Sequence, residues 1–124
     1  LSRANLSGTS MVWSNLCRSI MCGANLNEAN LSETNLGEAN LTESNFFRAN
    51  LSRAIMSEAN LSWANLSMAN LTRANLSEAN LFRANMSGAD LSEANLNGAY
   101  RPEGGIVGWY VLENGSLAKT KETL

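Results

Sequence analysis

An all-β solenoid is the fold class this sequence predicts: a chain that turns a corner in every five residues and stacks its coils into a rod. Three observations carry that expectation. A five-residue period runs without slip from Leu1 to Tyr100, giving twenty units. Every unit holds a large apolar residue at the same place, with a small residue two positions before the next one. The period then stops, and a different kind of sequence begins at Arg101.

The large residue, here called the centre, is Leu in fifteen units, Met at Met11, Met21, Met56 and Met86, and Phe at Phe46. The small residue is Ala in most units and otherwise Thr9, Ser14, Ser19, Thr34 or Ser44. Asn fills the position directly before the centre, with exceptions at Ser10, Ile20, Ile55, Asp90 and Tyr100. Ser or Thr usually follows the centre. The next position is variable and takes Arg, Glu, Gly, Trp or Met.

Period five fits neither regular template. An α-helix would scatter the centres, because five residues advance the angle by about 140° beyond a full turn. A flat strand alternates sides, so an odd period would flip successive centres to opposite faces. Both conflicts vanish if each unit holds a short extended piece and a corner. The small residue and the centre, two apart, then point inward together, with Asn outward between them. Ser, Asn and Gly suit the corner. The expected core is Leu26, Leu31, Leu36, Leu41, Phe46, Leu51, Met56, Leu61, Leu66, Leu71, Leu76 and Leu81. Each buried Leu contributes about 1.5–3 kcal/mol. If four units made a coil, the outward Asn residues at 25, 45, 65 and 85 would stack in one column, able to bond to backbone.

Units such as "ANLSE", "ANLTR" and "ADLSE" closely resemble the pentapeptide-repeat proteins, whose pattern is A(N/D)LXX. The match covers residues 1–100. That resemblance implies a right-handed quadrilateral β-helix with four units per coil. Five coils would then make a rod about 24 Å long at the usual strand spacing. The residues alone leave the coil size open. Stacking every twenty residues sets four opposite charges together (Glu28–Arg48, Glu33–Arg53, Arg73–Glu93, Arg18–Glu38) and three like ones. Stacking every fifteen gives four of each, and such pairs are worth only about 0.2–1 kcal/mol.

A solenoid must cover its ends. Residues 1–100 are expected to form the rod and 101–124 a C-terminal cap. In the latter, Arg101 to Gly105 read as a turn. Ile106, Val107, Trp109, Tyr110, Val111 and Leu112 form an apolar run with high β propensity. Asn114-Gly115 is a turn signal behind it. The first coil (Leu1, Leu6, Met11, Leu16) shows no equivalent segment, and Val12, Trp13 and Ile20 stand near it. Together with Trp63 they are the candidate contact residues, and association through the first coil is expected, either with a second copy or with an upstream segment. The chain opens on Leu1 rather than Met, which leaves room for an upstream segment; no signal peptide is legible, and the cytoplasm is the expected location.

Composition narrows the function. The net charge is −2 with both signs interspersed, which argues against a nucleic-acid partner. No apolar stretch approaches a membrane span. There is no His to activate a Ser or to hold a metal. Cys17 and Cys22 fall short of a zinc ligand set. Glu38, Glu58 and Glu78 would form an acidic ladder on a convex surface, which is a solvated face rather than a catalytic pair. No enzyme, cofactor or metal site is therefore expected. The leading expectation is a non-catalytic interaction module with a protein partner of unknown identity. The resemblance also implies an alternative, imitation of duplex DNA by an acidic rod that binds type II topoisomerase and protects it from quinolones. Against it, residues 1–100 carry eight acids and six Arg, a weak field beside the duplex's one charge per about 1.7 Å. Last comes binding to a periodic surface such as ice or polysaccharide, whose flat ranks the Arg, Glu and Trp columns interrupt. Many members of the family occur in cyanobacteria without assigned biochemistry.

Overall fold

In the computed structural model, every unit closes on itself as a turn. The small residue's N–H donates to the carbonyl of its own centre, as from Ala64 to Leu61 at 3.0 Å. The variable residue between them has a positive φ, from +54° to +72°, in all twenty units. A type II turn requires this at its third residue, where Gly is the usual choice. Here only Gly8, Gly23, Gly88 and Gly98 meet that preference, and sixteen Arg, Glu, Trp and Met residues adopt the left-handed conformation. Each costs about 1 kcal/mol or more taken alone. The next coil holds all of these but Arg83 and Glu93: Glu58 N–H donates to Ser77 O at 2.9 Å. The structure describes residues 1–101, Ile106, Trp109–Val111 and Leu117–Lys119.

The coil has four sides. Parallel bridges join residues twenty apart throughout, from Asn5↔Asn25 to Asn80↔Tyr100. This settles what charge pairing left open. Two residues of each unit go into the corner, so each side has room for a single bridging residue rather than a strand of ordinary length.

A complete count of one unit shows why Asn recurs. Leu61 N–H donates to Asn80 O (2.8 Å), Trp63 N–H to Phe82 O (2.8 Å), and Asn65 N–H to Ser44 O (2.9 Å). Ala64 N–H closes the turn. The fifth donor, Ser62 N–H, has no carbonyl to meet, and Asn60 Oδ1 accepts it at 3.1 Å. Backbone donors shielded from water need a partner. The Asn side chain supplies the one that neighbouring coils cannot. Every Asn directly before a centre, and Asp90, makes this bond. Ile20 and Ile55 have no oxygen to offer, so Cys22 and Ser57 N–H lack this partner. The stacked Asn column thus bonds chiefly within its own unit, with weaker rungs between coils at Asn25–Asn5 and Asn65–Asn45, both 3.4 Å.

Inside, the twelve centres from Leu26 to Leu81 are completely buried, with Ala between them. The two polar residues among them return their hydroxyls to backbone: Thr34 to Met11 O (2.7 Å) and Ser44 to Leu41 O (2.5 Å). Ser19 Oγ is buried without a partner. At the far end Ile106 is buried in the same apolar cluster and Trp109 is half-buried against it. Strand β1 (Trp109–Val111) pairs antiparallel with β2 (Leu117–Lys119), with Val111 opposite Leu117. Val107, Leu112 and the Asn114-Gly115 signal lie outside the described residues. At the near end Leu1 is 63% exposed, while Leu6, Met11 and Leu16 are half-buried.

Candidate interaction surface

Because residues twenty apart stack, the outer surface is a set of columns, and the sequence can be read straight onto it. One corner carries Arg3, Gly23, Glu43, Trp63 and Arg83. The position before it carries Ser62 and Phe82, and the adjoining side carries Ile20, Asn40, Asn60, Asn80 and Tyr100. At the C-terminal end of this corner the aromatic residues meet. Trp63 and Phe82 are edge to face, with ring centroids 6.2 Å apart. Phe82 and Tyr100 follow at 6.0 Å. The Arg83 guanidinium lies 4.8 Å from the Trp63 ring centroid and 5.4 Å from that of Phe82, within cation–π range. Trp63 and Tyr100 are more than half exposed. A shallow depression beside them is lined by Ser62, Asn80, Phe82 and Tyr100.

The other candidate residues are scattered. Trp13 and Ile20 are exposed and Val12 is half-buried, but Trp13 belongs to the column of Glu33 and Arg53, on a different side from Ile20. Met68 is exposed and overhangs Gly88, where a Cβ would lie 2.4 Å from its sulfur. Phe47 is covered by Arg48 at 5.0 Å. Cys17 is exposed and Cys22 half-buried, and both are free thiols. Of the four opposite-charge neighbours, Arg18–Glu38 (3.1 Å) and Arg73–Glu93 (2.5 Å) close as exposed ion pairs. The hydrogen bond and charge of Glu38 raise the Arg18 pKa above its usual value. Among the described residues no group of three or more His, Cys, Asp or Glu could hold a metal ion.

The sequence alone singles out Trp63 as a contact residue and Tyr100 as the end of the repeat, but places neither Tyr100 nor Asn80 in a site. The signal for Tyr100 was its place in the Asn column, which becomes visible only once the twenty-residue stacking is known.

The hydroxyl ranks also take on a definite character. Ser32, Ser62, Ser67, Ser87 and Ser92 each donate to the Asn or Asp oxygen of their own unit. Their hydrogens are used, and they offer solvent only acceptor lone pairs.

The model of the family described as pentapeptide repeats matches residues 24–62 and 59–98, in eight copies. The chain belongs to the pentapeptide repeat family. Its rod is the right-handed quadrilateral β-helix of that family. Solved pentapeptide repeat proteins share it. One, from the thylakoid lumen of Arabidopsis thaliana, is 30% identical with a TM-score of 0.62. That alignment covers 77% of this chain and 63% of the Arabidopsis protein, so this chain matches less than two thirds of that protein's length. Another, from Nostoc, is 33% identical with a TM-score of 0.63, covering 69% of this chain and 76% of that one. A third, from the cyanobacterium Cyanothece, is 29% identical with a TM-score of 0.50, covering 85% and 88%. No curated protein matched the chain.

Proposed function

We propose that this pentapeptide repeat rod is a non-catalytic interaction module that binds a protein partner through its outer surface. The observation that carries this is the set of large apolar side chains held outward by a rigid, internally hydrogen-bonded scaffold, Trp63 and Tyr100 foremost. Aromatic residues and Arg are the types that supply most binding energy in protein interfaces. The convex surface offers a shallow depression rather than a water-excluding cleft, which suits contact and not turnover.

Association through the first coil, with a second copy or an upstream segment, stays part of this proposal, supported by the exposed Trp13 and Ile20. For location the cytoplasm stays the proposal. Among the described residues no helix is long and apolar enough to cross a membrane, and the Arabidopsis relative comes from the thylakoid lumen.

The test is affinity capture from native lysate by the full chain and by a chain lacking 101–124. The reading expects a protein retained at fixed stoichiometry by the folded rod and not by the heat-denatured one. Specific turnover lost on mutating Glu58 or Cys17 would overturn it.

A further inference from the structure

From the corner formed by Trp63, Phe82, Arg83 and Tyr100 we infer a docking site for a protein segment that presents a carboxylate beside an apolar or aromatic side chain. The inference rests on the interaction-module reading and names the partner's chemistry.

The first argument is that the rod departs from its own rules here, at adjacent positions. Phe82 stands where Ser or Thr usually follows the centre, so no hydroxyl bonds to Asn80. Tyr100 puts an aromatic ring at the top of a column that carries Asn at 40, 60 and 80. Trp63 stands at a variable position that Arg, Glu or Gly fills in most units. Departures from local consistency collect at functional sites. These positions are far apart in the chain, yet the twenty-residue stacking brings them to one corner.

The second argument concerns what the corner offers a ligand. Three rings in series form an apolar strip. The Arg83 guanidinium lies against two of them and makes no ion pair with a described residue. Arg18 and Arg73, by contrast, each close on a stacked Glu. Below Arg83 the column offers Trp63 instead of a carboxylate, so its donors remain available. Asn80 lines the depression between the Phe82 and Tyr100 rings. Its Oδ1 is taken by Phe82 N–H at 3.0 Å, which fixes the amide's orientation and leaves Nδ2 with two donors to give. The corner therefore combines apolar walls with cationic and neutral donors. Its complement is an acceptor that carries negative charge and is attached to something apolar: a Glu or Asp next to a Leu, Phe or Trp, or the carboxyl terminus of an apolar segment. A guanidinium already held on aromatic faces loses little freedom on binding a carboxylate, and its fork matches both oxygens.

The experiment is selection of a displayed twelve-residue random peptide library on the intact chain. Selected peptides are then titrated as fluorescein conjugates against the intact chain and against Arg83→Glu, Trp63→Ser and Arg53→Glu. The last lies on another corner. Circular dichroism melts of each variant confirm the rod. Enriched peptides should carry an acid within two residues of an aromatic or large aliphatic side chain. Arg83→Glu and Trp63→Ser should each weaken them by about tenfold or more, as for residues at the centre of an interface. Arg53→Glu should leave them unchanged. Peptides that bind all four proteins equally would overturn this site while leaving the interaction-module reading standing. Failure to select any peptide, joined to failure of the lysate capture, would overturn both. Retention of the chain on insoluble cellulose, lost in Trp63→Ser and accompanied by no peptide binding, would assign the corner to a polysaccharide instead.

Discussion

Asn65 stands directly over Asn45, donating from Nδ2 to its Oδ1 at 3.4 Å while its own Oδ1 accepts the Ser67 N–H at 3.0 Å. The second bond is the one each unit needs. Asn65→Ala removes it and should cost about 1 kcal/mol, the net worth of a typical hydrogen bond. Asn65→Asp keeps the acceptor and loses only the rung, so it should cost less. The converse substitution is sharper. Ile55 is 44% exposed and sits between Asn35 and Asn75 in its column. Ile55→Asn supplies Ser57 N–H with its missing acceptor and should stabilise the rod by about 0.5–1 kcal/mol. Urea denaturation of the three variants checks this, and a destabilised Ile55→Asn would defeat the account of the Asn position.

Leu51 lies completely buried in the middle coil. Leu51→Ala should cost about 2–5 kcal/mol, since packed coils above and below prevent collapse of the cavity. The neighbouring Ala59, also fully buried, cannot grow. Ala59→Leu should cost about 1–3 kcal/mol through overpacking. If Ala59→Leu melted at the same temperature as the parent chain, the interior would be looser than the geometry implies.

Gly23 isolates the cost of the left-handed corner. Its φ is +65°, and an added Cβ would meet only Arg3 Cγ at 3.4 Å, an ordinary contact. Gly23→Ala should therefore destabilise through the backbone alone, by about 1 kcal/mol. Glu58→Gly, at φ +58°, makes the reverse change. Relief of strain is offset there by the greater freedom of an unfolded glycine, so the expected shift is within about 1 kcal/mol of zero. Chemical denaturation of both variants reads the difference.

A DNA-mimicking role would need a field this rod lacks. Acids number eight and Arg six over residues 1–100, and two of the acids are tied to Arg in ion pairs. The purified chain at micromolar concentration should neither inhibit supercoiling by gyrase nor protect it from a quinolone. Dose-dependent inhibition in a gel assay would restore that reading.

Much of the rod was legible in the sequence because its determinants are local and periodic. The inward pair of Leu and Ala needs only the two-residue spacing, and the burial of Leu26 or Leu76 follows from it. The square section was legible only through the family resemblance, not from the residues themselves. It depends on which carbonyl Leu61 N–H meets, and ion pairs as weak as Arg18–Glu38 do not decide that. Nor was the role of Asn legible, since an outward polar residue looks the same whether it faces water or completes a backbone bond. The variable position looked free because side-chain identity there is unrestricted, while its backbone is the most constrained in the unit. The aromatic corner fell between these. Trp63 was visible, but its company with Tyr100 required knowing the turn of the coil.

The twenty-residue stacking has an arithmetic of its own. Every column is defined by a remainder, so removal or duplication of twenty consecutive residues within the rod returns each surviving side chain to the column it left. Loss of a single five-residue unit is a different event. Excise residues 66–70, and everything downstream turns by one corner: Gly88 arrives above Trp63, and Arg83 moves to stand above Glu58. The core, made of interchangeable Leu and Ala, would scarcely register the change, while the outer surface would be rewritten. Length in such a chain can drift in whole coils while every surviving column keeps its place, whereas a slip of one unit keeps the fold and scrambles the address it displays.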